Sequence, residues 1–228
     1  MRRLPILPLV LGSALVAAGV IVLAPHVTVG PALASGLAYV GAALIILKYI
    51  RAFHPHAAFG AANGVTLARL AVVCAFTAVA AGQRDPSTWT GFIAGLGVLV
   101  ADGLDGWLAR RFGAASRFGA RFDMETDAFF VLVLSVIAWQ TGKAGAWVLL
   151  SGAARYLHVG AAMILPVLRR PLEPSFRRKT IAVIQIGSLV ALLAPIVQPP
   201  LSGMLAFAAL MCLLYSFGTD IVHQVRTA

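Results

Sequence analysis

Apolar residues run along this chain in eight long stretches, each separated from the next by a short polar or proline-bearing break. About 20 apolar residues in a helix cross a hydrocarbon core of roughly 30 Å. The pattern therefore predicts spans near 4–24, 32–50, 64–82, 88–110, 119–140, 144–167, 180–198 and 201–221. The breaks carry helix-ending chemistry: Pro25 after the first run, RAFHPHAAFGAANG after the second, GQRDPST after the third, RRPLEPSFRRK after the sixth and Pro199-Pro200 after the seventh. None of them is long enough to hold a soluble domain.

Composition fits this reading, since 60% of the 228 residues are hydrophobic and 11% are charged. The expected fold is all-α, a multi-pass integral membrane protein. Its basic residues are unevenly spread. With the N-terminus in the cytoplasm, Arg2, Arg3, Lys48, Arg51, Arg110, Arg111, Arg117, Arg169, Arg170, Arg177, Arg178, Lys179 and Arg226 share the cytoplasmic face, and Arg84 and Lys143 fall on the other. Both termini are then expected in the cytoplasm, in an inner or plasma membrane. Arg69, Arg121 and Arg155 lie inside predicted spans, where a long side chain reaches outward or toward an internal anion.

The first 24 residues also have the basic start and apolar run of a signal peptide, but the run is long enough to span. The net charge of +10 reads as a topology signal and an attraction for anionic membrane lipid, with no nucleic-acid partner expected. Cys74 and Cys212 sit in separate apolar runs and are expected as buried free thiols. The five histidines share no metal-ligand spacing and are expected to be interfacial or solvated.

Five of the eight acidic residues fall within VADGLDGWLARRFGAASRFGARFDMETD, Val100 to Asp127. At helical rise, Asp105 and Asp102 lie about 8 and 12 Å inward of Arg110 and Arg111, and Asp123 and Asp127 lie about 8 and 14 Å inward along the next span. Asp102 and Asp105 are three apart, and Asp123 and Asp127 four apart, so each pair projects from one helix face. Two antiparallel helices joined by a short turn would bring the four carboxylates together. Ionised carboxylates cannot crowd in a low-dielectric medium without cations, protons or many hydrogen bonds. Hard divalent ions, magnesium, manganese or calcium, answer that need, and two would balance four charges. Gly106, Ala109 and Gly119 remove bulk beside the carboxylates, and the Arg110 guanidinium suits a phosphate. Together these residues describe a site for a diphosphate held by divalent ions.

The same stretch resembles the signature of the CDP-alcohol phosphatidyltransferase family, D-x2-D-G-x2-A-R-x8-G-x3-D-x3-D. Asp102, Asp105, Gly106, Ala109, Arg110, Gly119, Asp123 and Asp127 fill its fixed positions. The upstream NGVTLARL is similar to the family's asparagine and threonine at Asn63 and Thr66. The resemblance implies an N-terminal pair of helices and linker over 1–58 and a six-helix catalytic core over 59–228. It further implies two ions, magnesium or manganese, on Asp102, Asp105, Asp123 and Asp127, with Asp127 also the general base. Asn63, Thr66, Gly106, Ala109, Arg110 and Ser116 would line the nucleotide and phosphate pocket. A phosphatidyl group would pass from CDP-diacylglycerol to a hydroxyl acceptor with release of CMP, at the cytoplasmic face of a homodimer.

Two positions depart from one branch of the family. Phosphatidylglycerophosphate synthases usually carry proline after the third aspartate and lysine after the fourth, where this chain has Met124 and Ala128. Arg155, costly inside a span without a partner, and the Arg177-Arg178-Lys179 run are candidates for a phosphorylated acceptor. Glu125 can pair with Arg121 one turn back and has no assigned role. Two other activities stay open: a CDP-amino alcohol donor with diacylglycerol as acceptor, and a cation transporter whose aspartates bind the transported ion.

Overall fold

The computed structural model describes residues 5–54, 58–86, 88–112, 116–169 and 175–226, and the side chains of Arg51, Ala52, Asp105, Ala109, Arg110, Pro166 and Arg169 lie outside the described set. It contains eight α-helices: α1 (Ile6–Leu23), α2 (Val29–Phe53), α3 (Ala61–Ala81), α4 (Trp89–Arg111), α5 (Arg117–Gln140), α6 (Leu149–Ile164), α7 (Phe176–Ala191) and α8 (Leu201–Arg226). Short 3₁₀ turns, Ala146–Val148 and Pro166–Arg169, precede and follow α6. Every stretch predicted from the hydrophobic pattern is a helix.

Among the described residues, six segments are long and apolar enough to cross a membrane by themselves: α1, α2, α3, α4, α8, and α6 with its leading 3₁₀ turn. The other two helices, α5 and α7, fall short of that mark by their own composition or length. The first half of α5 carries Arg117, Arg121, Asp123, Glu125 and Asp127, and α7 has 16 residues and opens on Phe-Arg-Arg-Lys. Both are held by packing instead. The protein is an all-α integral membrane protein.

The centre of the bundle is α3. Within it 61% of the span is buried, against 17% for α1 and for α2, because α1, α2, α4 and α5 all pack along it. Its small residues Ala71, Cys74, Ala75 and Ala78 are fully buried and let the neighbouring backbones approach closely. On one side Val16, Val20, Tyr39, Ile46 and Ile50 of α1 and α2 cover it. On the other, Val73, Phe76 and Val79 join Phe130, Leu134 and Ile137 of α5 and Ile186, Leu189 and Val190 of α7. Two polar ties fix the N-terminal pair: the Ser35 hydroxyl donates to the Cys74 carbonyl at 2.6 Å, and the Tyr39 hydroxyl donates to the Leu9 carbonyl at 2.8 Å. Of the two thiols Cys74 is buried as expected, while Cys212 is exposed on α8.

The α5–α6 turn lies at the end of the bundle away from the aspartates. There Lys143 is buried and donates to the carbonyls of Ala194 (3.3 Å) and Val197 (2.7 Å) just past α7, while Ser202 on α8 donates to the Lys143 carbonyl (2.7 Å). Burial lowers the Lys143 pKa from its ordinary value, and the Asp85 carboxylate opposes that shift. Lys143→Ala leaves two carbonyls without this donor and is expected to cost about 1–3 kcal/mol, read as a lower unfolding midpoint in detergent. An unchanged midpoint would mean that the carbonyls find other donors.

Candidate active site

The site lies where α3 and α5 begin and α4 ends. Gly60, with φ at +82°, turns the chain into α3 and stands at its N-cap, a backbone conformation that glycine adopts without strain. Asn63 is therefore inside the first turn, where its side-chain amide donates to the Phe59 carbonyl at 2.5 Å. Thr66, one turn on, donates to the Ala62 carbonyl at 3.2 Å. Both are buried, as is Arg69 a further turn along. The spacing Asn63, Thr66, Arg69 aligns the three along one face of α3.

Ser116 caps α5, its hydroxyl oxygen accepting from the Gly119 backbone N–H at 2.9 Å. The same oxygen lies 3.2 Å from Nδ1 of His54, whose Nε2 lies 2.8 Å from the Ala58 carbonyl. A carbonyl can only accept, so Nε2 carries a proton and donates to it. His54, at the end of α2, is buried and edge-on to Phe118, so of the two expected settings, interfacial or solvated, it is not the solvated one. Ser116, expected at the phosphate pocket, is engaged in tying the end of α2 to the start of α5.

The space beside Gly119, expected to admit a ligand, is filled by α3. A methyl group there would lie 2.9 Å from Oδ1 of Asn63 and 3.2 Å from the Ser116 hydroxyl. Gly119→Ala is expected to push the starts of α3 and α5 apart and to cost about 1–3 kcal/mol, measured by thermal unfolding. A midpoint equal to that of the unmodified protein would show that Asn63 swings away freely.

Asp102 of α4 and Asp123 and Asp127 of α5 converge, with one carboxylate oxygen from each lying within 4.8 Å of the others. They meet because both helices lean on α3, and the contact is made through Arg69. The guanidinium Nη1 is 2.6 Å from Oδ1 of Asp123; Nη2 is 3.0 Å from Oδ1 of Asp102 and also donates to Oδ1 of Asp127. Arg69 is 3% exposed, whereas the three aspartates are half-buried. An all-oxygen, all-carboxylate donor set suits a hard divalent ion, and these residues could hold one. Asp105, Ala109 and Arg110 lie on the last two turns of α4, their side chains outside the described set; Gly106 is half-buried beside them.

Glu125, two residues from both Asp123 and Asp127, points about 200° around α5 from either. It binds Arg155 of α6 at 2.6 Å, with Arg121 at 3.7 Å. The i,i+4 pair anticipated with Arg121 exists, but the closer partner comes from the next helix. Arg155 is thus placed against α5 on the face away from the aspartates. Arg177 and Arg178, in the first turn of α7, hold the buried Asp220 of α8 at 2.5 and 3.3 Å, so they tie α7 to α8.

The structure is a bundle of membrane helices with a carboxylate cluster at one end that could hold a metal ion, and comparison with known proteins gives the family. The family model for CDP-alcohol phosphatidyltransferase matches residues 59–215, and the chain belongs to that family. It is 33% identical over 107 residues to the CDP-diacylglycerol--glycerol-3-phosphate 3-phosphatidyltransferase of Escherichia coli (strain K12), and equally to those of Escherichia coli O157:H7 and Shigella flexneri serotype 5b (strain 8401). The match covers 46% of this chain and 57% of each relative, so the chain spans little more than half the length of these relatives. No solved structure matches it.

Proposed function

We propose that the protein transfers a phosphatidyl group from CDP-diacylglycerol to a hydroxyl acceptor in phospholipid biosynthesis and releases CMP. The observation that carries this reading is the convergence of Asp102, Asp123 and Asp127 from two helices of a member of this family. The acceptor oxygen attacks the phosphorus of the phosphatidyl group, the bond from that phosphorus to CMP breaks, and the acceptor proton passes to the Asp127 carboxylate. Asp102, Asp105, Asp123 and Asp127 would hold two divalent ions, magnesium or manganese. When bound, such ions supply the positive charge that neutralises diphosphate oxygens and the departing CMP. Asn63 and Thr66 border the cluster from α3, and Gly106, Ala109 and Arg110 flank it from α4, where Arg110 is assigned to phosphate. Ser116 holds the start of α5 in register.

The relatives' names carry CDP-diacylglycerol, which favours that donor over a CDP-amino alcohol. They also name glycerol 3-phosphate, which makes a phosphorylated acceptor the first to try, with Arg155 as its partner. The arginine-rich end, with the aspartates, is assigned to the cytoplasm by the distribution of basic residues, in a plasma or inner membrane, and the active form is taken as a homodimer. Residues 1–58 are assigned to a supporting helix pair and 59–228 to the catalytic core.

The test is CMP release by purified protein in mixed micelles with CDP-diacylglycerol, magnesium or manganese, and a panel of acceptors headed by glycerol 3-phosphate. Release that needs both the ion and one acceptor supports the reading and identifies the product. No release from folded protein with any acceptor rejects it, and ion flux in liposomes without a CDP compound would replace it with transport.

A further inference from the structure

Arg69 contacts one oxygen, Oδ1, of each of the three aspartates, and so ties together two helices that carry carboxylates. The arrangement is rigid on the arginine side, because Leu67, Leu70 and Ala71 around it are buried in the most enclosed helix of the bundle. Among the described residues the charge is left unbalanced, with one guanidinium meeting three carboxylates. Such a cluster still attracts cations. A planar guanidinium can bridge several carboxylates at once, which the single ammonium of lysine cannot do with the same fixed geometry.

We propose that Arg69 is a positioning residue that holds Asp102, Asp123 and Asp127 together as their resident cation and limits how tightly the cluster binds divalent ions. The inference rests on the reading that these aspartates take such ions. Removing Arg69 has two opposed effects. Without ions the carboxylates repel one another and the bundle loses stability. With ions the attraction is no longer reduced by a fixed positive charge in contact with the ligands.

The experiment is manganese binding to detergent-solubilised full-length protein, followed by electron paramagnetic resonance with no CDP compound present, together with unfolding temperature. It compares the unmodified protein, Arg69→Met, Arg69→Lys and Asp102→Asn. Arg69→Met is expected to unfold at a lower temperature without manganese, to recover most of the loss when manganese is added, and to bind the ion about tenfold more tightly or better. Arg69→Lys is expected to fall between. A manganese affinity of Arg69→Met equal to or weaker than that of the unmodified protein overturns the inference while leaving the metal site intact. If Arg69→Met does not fold even with manganese, Arg69→Lys decides, and an unchanged affinity there overturns the inference. Absence of binding by the unmodified protein, or unchanged binding by Asp102→Asn, rejects the metal reading itself and the inference with it.

Discussion

Asp127→Asn is expected to reduce CMP release by at least about a thousandfold, with folding retained. Two losses combine in this one substitution. The carboxamide cannot take the acceptor's proton at neutral pH, and general-base catalysis alone is typically worth about 10²–10⁴-fold. It also removes a negative charge from a cluster in which Arg69 already contacts all three carboxylates, which weakens the hold on divalent ions. The two contributions separate on titration with magnesium or manganese. Activity restored toward normal at high ion concentration would assign Asp127 to ion binding alone; activity that stays low at saturation supports the proton-accepting role. Asp123→Asn gives the comparison, since it removes the same charge one turn earlier on α5 without removing the proposed base.

Much of this site is legible in the sequence because its chemistry repeats along two helices at spacings of three and four residues. Periodicity and depth alone place Asp102, Asp123 and Asp127 on facing surfaces, and the structure brings those three together. Arg69 is harder to assign. One arginine near the end of an apolar run reads as a topology signal or a side chain reaching for the interface, and its partners Asp102, Asp123 and Asp127 lie on other helices, far along the chain. The available signal is its spacing of three residues from Thr66 and six from Asn63, which puts all three on one helix face. At Ser116 the structure adds a capping role, a serine three residues before a glycine at a helix start, and the space next to Gly119 is taken by the side chains of Asn63 and Ser116. The α5 and α7 segments show the limit of hydropathy as a guide, since their burial comes from neighbours and not from their own composition. The Glu125–Arg155 pair joins two helices, and neither residue's sequence neighbourhood names the other.

Arg155→Ala is expected to raise the KM for a phosphorylated acceptor by about tenfold to a hundredfold, the worth of one charge-assisted hydrogen bond, with little change in the KM for CDP-diacylglycerol. The complication is Glu125, which holds the guanidinium at 2.6 Å and sits on the face of α5 away from the aspartates. If Arg155 is reserved for a phosphate, Glu125 competes with the acceptor, and Glu125→Gln should lower the acceptor KM. If the pair instead only joins α5 to α6, both substitutions should lower the unfolding temperature and alter donor and acceptor kinetics alike. The sign of the Glu125→Gln effect therefore decides between an acceptor site and a structural tie. A double substitution adds the remaining constraint: if Glu125 acts only through Arg155, Glu125→Gln will have no further effect on acceptor KM once Arg155 is alanine.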